Sequence, residues 1–167
     1  KASVPTICVG NITVGGTGKT PHTEMILRML LEDEQWQDKN IAVLSRGYKR
    51  QSKGFQQVVL DGTTEDFGDE PLQIKRKFPQ VTVAVDKSRK EGCMFLSNPD
   101  LLQTSKKARR CIHKDMPKAD IIVLDDAFQH RYVKAGLNIL LIDSNRPVWR
   151  DCILPFGRLR ESLAGIK

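Results

Sequence analysis

The stretch VPTICVGNITVGGTGKTP, Val4 to Pro21, decides how the rest of the chain is read. A short β-branched and apolar run, Thr6 to Val9, ends in glycine-rich sequence, and Thr20 or Pro21 then opens a helical pattern. Proline suits that first turn, because its missing N–H would have had no partner there anyway. Strand, glycine-rich turn and helix in this order make a phosphate-binding loop. The template G-x-x-x-x-G-K-[ST] fits Thr13 to Thr20, with threonine in place of its first glycine. Backbone N–H groups of Gly15, Gly16, Thr17 and Gly18 are expected to converge on an anion, with Lys19 adding a point charge and the Thr20 hydroxyl ligating Mg²⁺. A chance Gly-Lys-Thr in an ordinary turn would explain neither the strand before it nor the helix after it. The loop therefore implies a bound nucleotide.

Outward from this loop, apolar runs alternate with helical patterns. Met25, Ile26, Met29 and Leu30 recur at helical spacing and are expected to face a sheet, with Glu32, Asp33 and Glu34 in solvent. Ile41–Leu44, Val81–Val85, Ile121–Leu124 and Leu137–Ile142 read as strands, and Gln56–Leu60 as a short edge strand. Asp69-Glu70-Pro71 opens a helix with Leu72, Ile74 and Phe78 inward, and residues 90–118 read as a helix with a loop insertion. Such alternation predicts an α/β fold, a P-loop NTPase-like mostly parallel sheet with helices on both faces, as one unit over residues 1–167. In such sheets ligands bind beyond the carboxyl ends of the strands, where Ser45-Arg46-Gly47-Tyr48, Asp86-Lys87-Ser88-Arg89 and Asp125-Asp126 all fall.

With 167 residues the chain is long enough for a core of its own. Cys8, Cys93, Cys111 and Cys152 are widely spaced, which argues against a zinc site or a disulfide framework and for a reducing compartment. A formal charge of +7 favours an anionic partner. The basic cluster Lys106, Lys107, Arg109, Arg110 and Lys114 lacks interleaved aromatics, so it reads as a solvated face rather than a nucleic-acid patch. No apolar run is long enough to span a bilayer, and no signal-peptide pattern opens the chain. The chain starts at Lys1 with strand sequence almost at once, which suggests that something precedes it.

Asp125 and Asp126 leave an apolar strand where phosphate-loop enzymes hold Mg²⁺. Successive residues point in opposite directions, so the pattern leaves open which of the two touches the metal. Asp69 and Glu70 are candidates to take a proton from an acceptor, although by pattern alone the reading as an acidic helix start, favoured by the helix dipole, wins. His130 reads first as a packed histidine, and Arg89 and Arg160 as solvated cations or phosphate clamps.

The ordered set GNITVGGTGKTP, LSRGY, GDEP, LDDAFQHR and LPFGRLRE resembles the tetraacyldisaccharide 4'-kinases, the lipid A 4'-kinases of Gram-negative bacteria, from Val4 to Glu161. The resemblance implies ATP and Mg²⁺ as cofactors, and a lipid A disaccharide precursor phosphorylated at its 4' hydroxyl at the cytoplasmic face of the inner membrane. It implies Asp69 as catalytic base beside Lys19 and Asp125, with His130 on the nucleotide. Thr20, Asp125, Asp126 and Glu161 become metal ligands, and Tyr48, Arg89 and Arg160 substrate contacts. An anionic membrane surface is an expected partner; nucleic acid and a protein partner are not. Members of that family are longer, with a membrane helix before this region and a histidine-bearing lobe after it, so the chain is expected to be the N-terminal core. Residues 93–118 match nothing in the family pattern, and Arg158 stands where many members carry proline. The rival is a nucleotide-switched partitioning or assembly ATPase, whose loop carries a lysine where this chain has Val14.

Overall fold

A computed structural model describes residues 4–14, 18–128, 133–145 and 147–160. In chain order these form β1 (Thr6–Gly10), α1 (Lys19–Glu32), β2 (Ile41–Ser45), β3 (Gln56–Gln57), α2 (Thr64–Phe67), α3 (Asp69–Lys77), β4 (Thr82–Val85), α4 (Arg89–Ser97), α5 (Leu101–Thr104), β5 (Ile121–Asp125) and β6 (Leu137–Leu140). They assemble one six-stranded sheet in the order β3-β4-β2-β5-β1-β6. Every neighbouring pair is parallel except the edge strand β3, which runs antiparallel to β4. The mostly parallel α/β architecture expected from the alternating pattern is the one observed.

Strand residues alternate strictly between two cores, because successive side chains leave a strand on opposite faces. Val9, Ile41, Val43, Val83, Val85, Ile121 and Val123 face one layer with Ile26, Leu27 and Leu30 of α1 and Leu72 and Ile74 of α3. Cys8, Ala42, Leu44, Ala84, Ile122 and Leu124 face the other, with Phe95 and Leu96 of α4 and Leu102 of α5. Helices α1 and α3 thus share one face and α4 the other. The connections out of neighbouring strands β1 and β5 run in opposite directions along the sheet, toward β2 and β6. That divergence opens a crevice at the carboxyl ends, where open α/β sheets bind ligands.

Three sequence expectations are corrected. Met25 and Met29 do not face the sheet; they are 47% and 62% exposed, while Thr23, Glu24, Ile26, Leu27 and Leu30 are buried. The helix is rotated because Thr23 and Glu24 are drawn inward by polar partners, which apolar periodicity cannot register. The Gln56–Leu60 strand shrinks to Gln56–Gln57, although the Val58 amide still donates to Val83. The strand expected over Leu137–Ile142 ends at Leu140, and it is a half-exposed edge strand. Cys8, Cys93, Cys111 and Cys152 are all free thiols.

The segment before the loop is tied to the end of the described chain. Val14 donates to the Arg158 carbonyl at 2.8 Å, Arg160 donates to the Ile12 carbonyl at 2.7 Å, and Ile12 is buried with Val148 and Leu159. Gly10 sets the other side of the crevice, since a Cβ there would stand 2.5 Å from Phe128 Cβ and 3.1 Å from its backbone nitrogen. The exits of β1 and β5 touch only because Gly10 has no side chain. Gly10→Ala is therefore expected to cost about 1–3 kcal/mol by overpacking, read as a lowered urea midpoint at unchanged m-value.

Candidate active site

Strand register puts the chemistry together. Val9 is the cross-strand partner of Asp125, so the glycine-rich loop after β1 and the acidic pair after β5 emerge side by side. Gly18, at φ 77, caps α1 in the left-handed region that glycine occupies without a Cβ penalty. Lys19 follows, its Nζ 3.5 Å from Asn11 Oδ1 and 3.8 Å from Asp126 Oδ1. Arg160 reaches the same Asp126 Oδ1 at 3.3 Å. Asp126 takes a positive φ of 48° as the strand turns out, and its carboxylate lies between these two cations.

Asp125 has a different environment. It is buried, and it accepts from the Ser45 hydroxyl at 3.2 Å and the Thr23 hydroxyl at 3.5 Å. Burial pushes its carboxyl up to about 6, Glu70 and Asp126 add to the rise, and Arg89 and Ser45 pull the other way. Glu70 and Asp126 thus add negative charge around the Asp125 carboxylate. Hard oxygen donors of this kind suit Mg²⁺, which keeps most of its waters and takes one or two carboxylates plus substrate phosphate rather than a full protein cage. Among the described residues no three His, Cys, Asp or Glu side chains are close enough to hold a metal by themselves.

Gly68, at φ 89, leads into α3, and a Cβ on it would stand 3.0 Å from the Tyr48 carbonyl. Asp69 thereby starts a helix packed directly on the loop after β2, and it is exposed. Tyr48 is 73% exposed, with the Lys49 ammonium 5.5 Å from its ring centre. Gly15, Gly16, Thr17, His130 and Glu161, all expected at the site, lie outside the described residues.

Arg89 departs from expectation. It is 1% exposed, donating from one terminal nitrogen to the Asp86 carbonyl at 2.6 Å and from the other to the Asp125 carbonyl at 2.9 Å. Expected as a substrate contact, the guanidinium is enclosed in this structure and joins the ends of β4 and β5 across β2. Ser45, Thr23 and Asn11 are contacts that sequence reading missed. In the sequence Ser45 is one polar residue at a strand end, and its meeting with Asp125 depends on the register of β2 against β5, which no local pattern carries.

Two outcomes follow for the metal-free protein. Arg89→Ala leaves two buried carbonyls and Asp86 without their cation and is expected to cost about 3–5 kcal/mol in urea unfolding; a substrate clamp would leave stability intact and raise KM. Asp125 has a raised folded pKa, so its ionised form costs stability above pH about 6 and costs nothing below its unfolded pKa of about 4. Asp125→Asn is expected to melt higher than the parent at pH 8, by an amount on the order of 2–3 kcal/mol, with the difference vanishing as pH falls toward 4.

Comparison with known proteins gives the chain a family and the fold a solved relative. The family model described as tetraacyldisaccharide-1-P 4'-kinase matches residues 1–167. The tetraacyldisaccharide 4'-kinase of Phocaeicola vulgatus is 49% identical over 161 residues, covering 96% of this chain and 39% of its own length. That of Flavobacterium psychrophilum is 46% identical over 165 residues, covering 98% and 42%. A crystal structure of LpxK from Aquifex aeolicus in complex with ATP superposes with a TM-score of 0.73 at 37% identity, covering 97% of this chain and 45% of that one. The chain thus spans about two fifths of the length of the curated relatives it matches. With the family model matching residues 1–167 and relatives 46–49% identical along nearly all of it, the chain belongs to the tetraacyldisaccharide-1-P 4'-kinase family.

Proposed function

We propose that this chain forms the ATP-binding part of a kinase that transfers the γ-phosphoryl group of ATP to the 4' hydroxyl of a tetraacyldisaccharide 1-phosphate. The observation that carries the proposal is the family match along residues 1–167, and the crevice geometry supports it. The Aquifex relative is described with ATP bound, which supports ATP as the donor. Loop amides and Lys19 hold the β- and γ-phosphates, and an arriving phosphate competes with Asp126 for the lysine's long 3.8 Å contact. Thr20, Asp125 and Asp126 are the residues that hold Mg²⁺, which when bound neutralises charge on the phosphates. Arg160 stays beside the same carboxylate. Asp69 takes the proton of the sugar hydroxyl, and its position at an exposed helix start next to the Tyr48 loop leaves it open to an acceptor. Most of the acceleration comes from alignment and fixed charge, since the transferring group needs little covalent help.

The setting we propose is the cytoplasmic face of the bacterial inner membrane. The charge of +7 suits anionic lipid there. Among the described residues no helix is long and apolar enough to cross a membrane. A partitioning or assembly ATPase is not favoured, because relatives 46–49% identical carry the kinase name.

In the full-length enzyme, Asp69→Ala is expected to retain ATP binding and lose about 10²–10⁴-fold in turnover, whereas Lys19→Ala loses ATP binding as well. Measuring ATP consumption with the lipid disaccharide, with DNA and with neither checks the assignment. Consumption stimulated by DNA alone, or full turnover by Asp69→Ala, overturns it.

A further inference from the structure

A second buried charge lies outside the crevice. Glu24, in the second turn of α1, has a side chain only 6% exposed. Its carboxylate accepts from Lys77 Nζ at 2.7 and 2.8 Å, one contact on each oxygen, from Gln73 Nε2 at 2.9 Å, and from Arg28 at 3.4 Å. Burial pushes this carboxyl up, but the hydrogen bonds from Lys77 and Gln73, with the charges of Lys77 and Arg28, outweigh it and hold the group below its ordinary value. The group is a carboxylate at neutral pH. Enclosing one between two helices is a poor way to gain stability, since an apolar side chain of similar size does as well or better there. A different role is indicated.

The spacing supplies it. Thr20, Glu24 and Arg28 lie four apart on α1, and Asp69, Gln73 and Lys77 lie four apart on α3. Residues four apart stack on one helix face. Both helices start at the carboxyl ends of the strands and descend the same face of the sheet. Glu24 meets Gln73 and Lys77, so the two stripes face each other. One turn above Glu24 is Thr20, beside Lys19; one turn above Gln73 is Asp69. With the half-exposed Lys77 ammonium on both carboxylate oxygens and the Gln73 amide on one, the contact at this level opposes sliding of one helix past the other, which apolar packing by Leu27 and Leu72 resists less specifically.

We propose that Glu24, with Gln73 and Lys77, is a positioning clasp that sets the axial register between the phosphate-loop helix and the helix bearing Asp69. It touches neither substrate and acts on the transfer step through the separation of donor and base. The proposal rests on the reading of Asp69 as base.

The test uses the full-length enzyme with ATP and the lipid disaccharide. Glu24→Leu is expected to stay folded and to lower kcat by about 10–100-fold, the effect of roughly 1 Å of misplacement, with KM for ATP within about threefold of the parent. Glu24→Gln, which keeps hydrogen bonds to Gln73 and Lys77, should recover part of the loss. The swap Glu24→Lys with Lys77→Glu should recover more than either single change, and it decides the matter if Glu24→Leu unfolds. On an Asp69→Ala background, Glu24→Leu should cause little further loss, because the base it positions is gone. A folded Glu24→Leu enzyme with parental kcat, no recovery in the swap, or a full additive loss on the Asp69→Ala background overturns the clasp. If Asp69→Ala itself keeps full turnover, the base reading fails and the proposal fails with it; parental kcat in Glu24→Leu beside a dead Asp69→Ala enzyme overturns the clasp alone.

Discussion

The site depends on a positive charge enclosed beneath it. Arg89 opens α4 with its guanidinium turned back under the crevice, bonded to carbonyls at the ends of β4 and β5. Burial works against that charge and prevails, and the carboxylates of Asp125, Asp126 and Asp86 offset part of it. The dependence is mutual. Asp125 is charged with difficulty because it is desolvated and flanked by Glu70 and Asp126, and Arg89 is the leading cation opposing that rise. Removing the guanidinium would leave like charges facing one another at the mouth of a parallel sheet, with two carbonyls unpaired.

Above this brace, one helix serves two purposes. The inward residues of α1 are partly polar: Thr23 is spent on Asp125, and Glu24 on the clasp to α3. A helix selected for packing alone would place Met25 or Met29 against the sheet, and here both point outward. Stability is exchanged for geometry in the first two turns after the loop, where a phosphate-binding site needs its lysine and hydroxyl held still. Farther down, Ile26, Leu27 and Leu30 restore ordinary apolar packing.

The end of the described chain completes the crevice from a distance in sequence. Residues 158–160 pair with residues 12–14, and this brings Arg160 to Asp126. The two cations around that carboxylate come from opposite ends of the chain, one from the loop and one from the tail.

Local chemistry was sufficient for much of this. Glycine spacing, Gly-Lys-Thr and the preceding apolar run identify a phosphate loop because each feature acts within a few residues, and β-branched runs alternating with helical stripes identify a parallel α/β sheet. Asp125-Asp126 at a strand end was legible for the same reason. What only the tertiary structure decided is which groups face one another. The register of β1 and β2 against β5 gives Asp125 the hydroxyls of Ser45 and Thr23 and leaves Asp126 to Lys19 and Arg160. The burial of Arg89 makes it a brace between strand ends, and the rotation of α1 turns Glu24 inward toward α3. Each is a pairing between segments far apart in sequence. Apolar periodicity reports how one segment meets water, whereas the partner of a buried charge is set by where another segment ends.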